Sequence, residues 1–161
     1  MANRPQPSEQ LDPQARTLWR LGGLTTFAVC AAIFIAGAAA LIWFDVIDWW
    51  WAVLAALVLA IPSLAGIYYV PDLTWRRWRY EVGSDEVDLQ YGVFTVTRTL
   101  IPMARIQHVD TRRGVLQRRF GLATVVFYTA AGSNEIPSLA DAVASDVRDR
   151  IAALANTRDD L

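Results

Sequence analysis

Two runs without a charged residue, Gly22 to Phe44 and Trp49 to Val70, follow one another with only Asp45, Val46, Ile47 and Asp48 between them. Nothing else in the chain restricts its fold as tightly. A helix needs about 20 residues, rising 1.5 Å each, to cross a hydrocarbon core of roughly 30 Å. Both runs are longer, so they read as the two spans, about 22–44 and about 49–70, of a transmembrane helical hairpin. A cleavable signal peptide is the alternative for the first run, because Arg16 and Arg20 precede it and Ala36, Gly37 and Ala38 resemble a small-residue cleavage site. Signal-peptide apolar regions span only about 7–15 residues. This run is longer and ends on Ile42, Trp43 and Phe44, which suit a membrane interface.

Charge sets the orientation. All fifteen basic residues are arginine, and none lies between Gly22 and Thr74. Arg16 and Arg20 flank the start of the hairpin and Arg76, Arg77 and Arg79 its end, while the turn carries two aspartates. The positive-inside rule then predicts a multi-pass membrane protein with both termini in the cytoplasm. Trp19, Trp43, Trp49, Trp50, Trp51, Tyr68, Tyr69, Trp75 and Trp78 cluster near the helix ends, as interfacial anchors do. Ala28, Ala32, Ala36 and Ala40 recur every four residues in the first span, and Ala52, Ala56 and Ala60 in the second. Small residues at that spacing let helices approach closely, within the hairpin or between copies in a homo-oligomer. Pro62 is expected to kink the second helix. No ionisable residue lies inside either span, which argues against a transporter or channel.

Beyond Arg79 the pattern alternates. Val87, Leu89 and Tyr91 point one way and Glu86, Asp88 and Gln90 the other, the period of a half-buried strand. Strands are predicted at Trp78–Val82, Glu86–Tyr91, Val93–Ile101, Ile106–Thr111, Thr124–Thr129 and Asn134–Ile136, with turns at Gly83–Asp85, Gly114 and Ala131–Ser133. A closing helix follows, with Ser138 as N-cap, Asp141 at the third position and Leu139, Val143, Val147, Ile151 and Leu154 as its apolar stripe. The organisation predicted is a disordered tail over 1–15, a hairpin over 16–79, an α+β domain over 80–155 and a tail over 156–161. The domain has room for one small core, which excludes a two-domain soluble enzyme.

Ile101-Pro102-Met103-Ala104-Arg105-Ile106-Gln107-His108-Val109 is followed by Gln117-Arg118-Arg119-Phe120-Gly121-Leu122-Ala123 and then by Tyr128-Thr129-Ala130-Ala131-Gly132. Taken as an ordered set, these segments resemble the YdbS-like bacterial pleckstrin-homology (bPH2, DUF304) membrane protein family over about Arg16 to Leu154. The resemblance implies a pleckstrin-homology-like barrel, antiparallel strands capped by a C-terminal helix, behind a two-helix membrane hairpin. It implies no established activity. Its motif residues here are Pro102, Arg105, Gln107, Arg119, Phe120, Gly121 and Leu122.

Candidate chemistry is sparse. Eukaryotic pleckstrin-homology domains that bind phosphoinositides use basic residues around the first hairpin, but Glu81, Asp85, Glu86 and Asp88 occupy that region and would repel a phosphate. Arginines gather later: Arg112, Arg113, Arg118 and Arg119 form a candidate contact for anionic lipid or for a protein partner. Nine arginines against eleven acids from Tyr80 onward argue against nucleic acid. His108 is the only histidine and Cys30 the only cysteine, so no zinc site is expected. His108 lacks an identified nucleophile, and no catalytic constellation or cofactor is expected. The expectation is a non-enzymatic module that presents its domain to a protein partner at the inner leaflet. Direct anionic-lipid sensing is the alternative, and an enzyme of unrecognised type a remote third.

Overall fold

The computed structural model describes residues 5–159, and their side chains as far as Ala155. Expectations for residues 1–4 and 160–161 fall outside that range. The chain divides into two compact units, one of Trp19–Asp72 and one joining the residues before Trp19 to those from Leu73 onward.

The first unit is the body of two long helices, α1 (Gln14–Trp43) and α2 (Trp49–Arg77). Both are long and apolar enough to cross a membrane. Between them Asp45 adopts a left-handed φ of 53°, a conformation that aspartate tolerates better than most residues. A Cβ added at Gly23 would lie 3.1 Å from Ile67 Cγ1, so glycine permits a close helix crossing there. The shielded face of α1 carries Gly23, Phe27, Ala31, Phe34, Ala38 and Ile42, against Ala52, Ala56, Ala60 and Ile67 of α2. Ala28, Ala32, Ala36 and Ala40 all point outward. The expected stripe therefore holds for α2 and is displaced on α1, where Phe27 and Phe34 line a recess of about 300 Å³ with Ala56 and Ala60. Pro62 and Pro71 both lie inside α2, which continues past Val70 to Arg77.

The second unit is two three-stranded antiparallel sheets and a C-terminal helix. Sheet A runs β1 (Arg79–Val82), β2 (Glu86–Tyr91) and β3 (Thr97–Pro102) in that order. Sheet B runs β4 (Ile106–Arg112), β5 (Leu122–Thr129) and β6 (Gly132–Ala140), with the short helix α3 (Val115–Arg119) between β4 and β5. Helix α4 (Asp141–Asp159) closes the chain. Alternation fills the core: Tyr80, Val82, Val87, Leu89, Val125, Phe127 and Ile136 are each at most 2% exposed, and α4 adds Ala144, Val147 and Ile151.

Several boundaries depart from the sequence reading. Gly92–Val96 is a turn, because Gly92 has φ +112° and its neighbours close back on it. Ser138 is no cap; it sits within β6 at φ 52°, and α4 begins at Asp141. The buried face of α4 is Ala144, Val147 and Ile151, while Val143 is 43% exposed and Leu139 belongs to β6.

The residues before the hairpin are ordered against the domain. Glu9 and Tyr80 exchange two backbone hydrogen bonds of 3.0 Å, forming a bridge on the outer edge of β1. Leu11 and Ala15 are buried, and the Trp75 indole N–H donates to the carbonyls of Leu11 at 3.0 Å and Asp12 at 3.1 Å. Arg16 stacks over the Trp75 ring at 4.5 Å. Residues 5–15 are thus part of the domain and not a tail, because Leu11 and Ala15 supply apolar surface and Glu9 finds a strand edge to pair with. Trp75 and Trp78 serve this packing: Trp78 is buried and stacked 5.9 Å from Tyr91. At the other end, α4 extends through Asp159, into the segment expected to be a tail.

Candidate functional site

The motif segments separate into one set that builds the domain and another that meets at a cleft. Leu122 is buried, Phe120 is half-buried, and Gly121, at φ +63°, offers its carbonyl to Asp141 N–H at 2.9 Å. That bond ties the start of β5 to the first residue of α4. Gln107 lies at the β4 bulge, where the register against β5 shifts between Ile106 and His108. Bulges re-aim a strand, so Gln107, Phe120, Gly121 and Leu122 shape the barrel.

Pro102 and Arg105 do otherwise. Pro102 ends β3, and Met103–Arg105 form one turn of 3-10 helix whose Met103 is fully buried and donates its N–H to Asp85 O at 2.9 Å. This pins the β3–β4 crossing beneath the β1–β2 turn and leaves Arg105 exposed. Across from it, β5 and β6 join through Ala130 and Ala131, with Gly132 at φ +136°. Thr129 Oγ1 accepts from Ala131 N–H at 3.2 Å and donates to Gly132 O at 3.0 Å, fixing that turn. The two segments, nearly thirty positions apart, line one cleft of about 300 Å³ with Thr99, Ser133 and Asn134. Since β3 and β6 are the outer strands of their sheets, unpaired strand edge borders the cleft on both sides. Thr99, Ser133 and Asn134 carry no sequence signal beyond polarity; the Thr129-to-Gly132 turn does.

Sheet register places this cleft. Pro102 pairs with Glu86, at the end of sheet A where β1 turns into β2, whereas Arg79 pairs with Gln90 at the end that receives the chain from α2. From Glu86 to Tyr91, the last pair of the sheet at that end, five residue steps of about 3.3 Å put roughly 17 Å between the two ends.

The four arginines of the candidate contact, at the end of β4 and on α3, differ in their partners. Arg112 bonds the Tyr128 hydroxyl, and Arg113 pairs with Asp141 at 2.6 Å. Arg118 and Arg119, at the end of α3, are exposed and make no ion pair among the described residues. Of the membrane-flanking set, Arg20 pairs with Asp72 at 2.8 Å and lies over the Tyr68 ring at 5.7 Å. Arg76 and Arg77 are exposed in the last turn of α2. Arg79 donates to Trp78 O at 3.1 Å. His108 Nε2 lies 2.9 Å from Asp110 Oδ1 with both side chains well exposed, a pair that a water-filled surface screens. No group of three or more His, Cys, Asp or Glu among the described residues is placed to hold a metal ion.

Two titratable groups depart from their ordinary values. Burial first, then the Glu9 carboxylate, pushes the Tyr80 hydroxyl well above 10.0. Hydrogen bonding to Asp88 holds the Arg98 guanidinium further toward its charged form, and Arg98 also donates to Pro5 O at 2.8 Å. Both groups fasten the N-terminal segment or its neighbours to sheet A.

Comparison with known proteins agrees with this architecture. A family model described as bacterial PH domain matches residues 20–155. UPF0699 transmembrane protein YdbS of Bacillus subtilis (strain 168) is 41% identical over 157 residues, 98% of each chain. UPF0699 transmembrane protein YdbT of the same organism is 30% identical over 79 residues, which make up 49% of this chain and 16% of YdbT. No solved structure matches the chain.

Proposed function

This chain belongs to the bacterial PH domain family, and from that premise we propose that it is a non-enzymatic interaction module, anchored in the bacterial inner membrane with both termini cytoplasmic. Its domain recruits or steadies a protein partner. The observation that carries the reading is the convergence of Pro102, Arg105 and the Thr129-to-Gly132 turn on one cleft, at the end of sheet A away from α2. Motif residues that line a recess without completing a catalytic group are what a binding surface requires. Unpaired edges on both walls suit an extended segment, which gains main-chain hydrogen bonds there.

Site-specific photocrosslinking in intact cells tests it. A photoreactive residue at Ser133 is expected to give one reproducible protein adduct, and the same residue at Ala142, exposed on α4, is not. Adducts only with lipid, or equal labelling from both positions, contradict the reading. Reporter fusions at the Asp45-to-Asp48 turn and at Leu161 test the orientation, and a periplasmic C-terminus overturns it.

Anionic-lipid binding is the second reading, favoured by one feature: α3 joins exposed Arg118 and Arg119 to Val115, 76% exposed, and Leu116, 40% exposed. Basic and apolar side chains exposed together suit an anionic interface. Amide exchange of α3 in the full chain is expected to slow in nanodiscs rich in phosphatidylglycerol relative to phosphatidylcholine, and to recover at high salt. Identical exchange in both lipids removes this reading.

A further inference from the structure

We infer that the β2–β3 turn, Gly92–Val96, is a second membrane contact, which inserts Phe94 into the interface of the bilayer that the two helices span. Phe94 is 97% exposed, the most exposed large apolar side chain among the described residues, and Val96 and Tyr91 beside it are 48% and 38% exposed. An isolated exposed apolar residue is ordinary; an aromatic at the tip of a turn with apolar neighbours is a contact surface.

Register says which end of the domain carries it. Arg79 pairs with Gln90 and Tyr91 with Thr97, so the turn emerges at the end of sheet A where α2 delivers the chain through Arg76 and Arg77. The opposite end holds the acidic β1–β2 turn and the cleft. At the Phe94 end, Trp78 stacks on Tyr91 at 5.9 Å, and Arg76, Arg77 and Arg79 lie on the segment that enters β1, while Arg98 is paired with Asp88 at 2.6 Å. Aromatic rings with arginines are the composition that interfaces with anionic headgroups select. The turn is built to hold its shape: Gly92 lies at φ +112°, and a Cβ there would come 1.9 Å from Thr95 O. A fixed turn presents Phe94 outward without further ordering. Burial in a bilayer interface is the outcome that removes this apolar surface from water.

The test uses the full chain in lipid vesicles. Cys30 is replaced by Ala, and a single cysteine is introduced by Phe94→Cys or, as control at the far end of the sheet, by Ser84→Cys; both positions are exposed, so the fold is retained. Each is labelled with an environment-sensitive fluorophore in phosphatidylcholine–phosphatidylglycerol vesicles, with or without lipids brominated on the upper acyl chain. Label at position 94 is expected to emit at shorter wavelength and to be quenched by the brominated lipid, and label at 84 to be unaffected. Water-like, unquenched emission at 94 overturns the inference, as does equal quenching at both positions. A label at 94 that is shielded in native membranes yet water-exposed in pure lipid vesicles assigns the turn to a protein partner and overturns it as well.

Discussion

Ser138 carries two unfavourable features at once: a φ of 52° and a buried hydroxyl without a hydrogen-bond partner. A non-glycine residue held in the left-handed region costs about 1–3 kcal/mol, and an unpaired buried hydroxyl adds to that. Ser138→Gly removes both, against a smaller loss from the freer unfolded chain. The variant is expected to be more stable by roughly 1 kcal/mol in chemical unfolding of the detergent-solubilised chain. Sequence alone reads the same serine as a helix cap, since Ser followed three positions later by Asp has that pattern; the pattern cannot register that Gly121 O already takes the Asp141 N–H. Tyr80 gives a prediction in pH. Its folded value is raised above 10.0 by burial and by Glu9, so the native chain keeps the proton where the unfolded chain releases it. Its contribution is therefore complete below about pH 10 and declines as pH climbs beyond that. Tyr80→Phe is expected to flatten the alkaline fall in stability above about pH 10; an unchanged slope assigns that fall to other groups.

At the scale of elements, what could be read and what could not follow from which forces leave a trace in sequence. Strands β1 and β2 declare themselves because one face packs and the other meets water, and the alternation records it; β5, buried on both faces from Leu122 to Phe127, is legible instead from its β-branched and aromatic run. The run Val93–Ile101 is different. Its β-branched residues read as strand throughout, but β-propensity measures fitness for a packed surface, and an apolar turn mimics it. Gly92 carries the correcting signal. Gly92→Ala is expected to destabilise the β2–β3 hairpin by more than about 1 kcal/mol, since alanine cannot adopt the turn without displacing Thr95 O; hydrogen exchange of Tyr91 and Thr97 amides measures it. In α1 the alanine stripe lies outside the hairpin contact; in lipid every side of a helix is apolar, so periodicity alone does not separate a face that packs within the hairpin from one that packs between copies. The N-terminal segment escapes sequence reading for another reason. Glu9 and Leu11 are held by partners more than sixty positions away, and no local pattern encodes a long-range edge.

For the whole molecule, the hairpin and the domain were legible from hydropathy and motif order, and membership in the bacterial PH domain family agrees with both. The cleft was legible only in halves, since Pro102 and Arg105 stand apart in sequence from Thr129 and Gly132 and meet through sheet packing. Sheet A has two unlike ends. One receives the chain from α2 and carries Phe94, and the other carries Pro102, from which the cleft runs back along β3 to Thr99. The most direct test is the native mass of the complex extracted from membranes in nanodiscs, for the wild-type chain and for a variant in which Ser133→Trp fills the cleft. The account predicts that the wild-type chain carries a second protein in fixed proportion and that the variant, equally folded and equally abundant in the membrane, has lost it. A wild-type chain that appears alone or only with its own copies, or a second protein retained by the filled cleft, contradicts it.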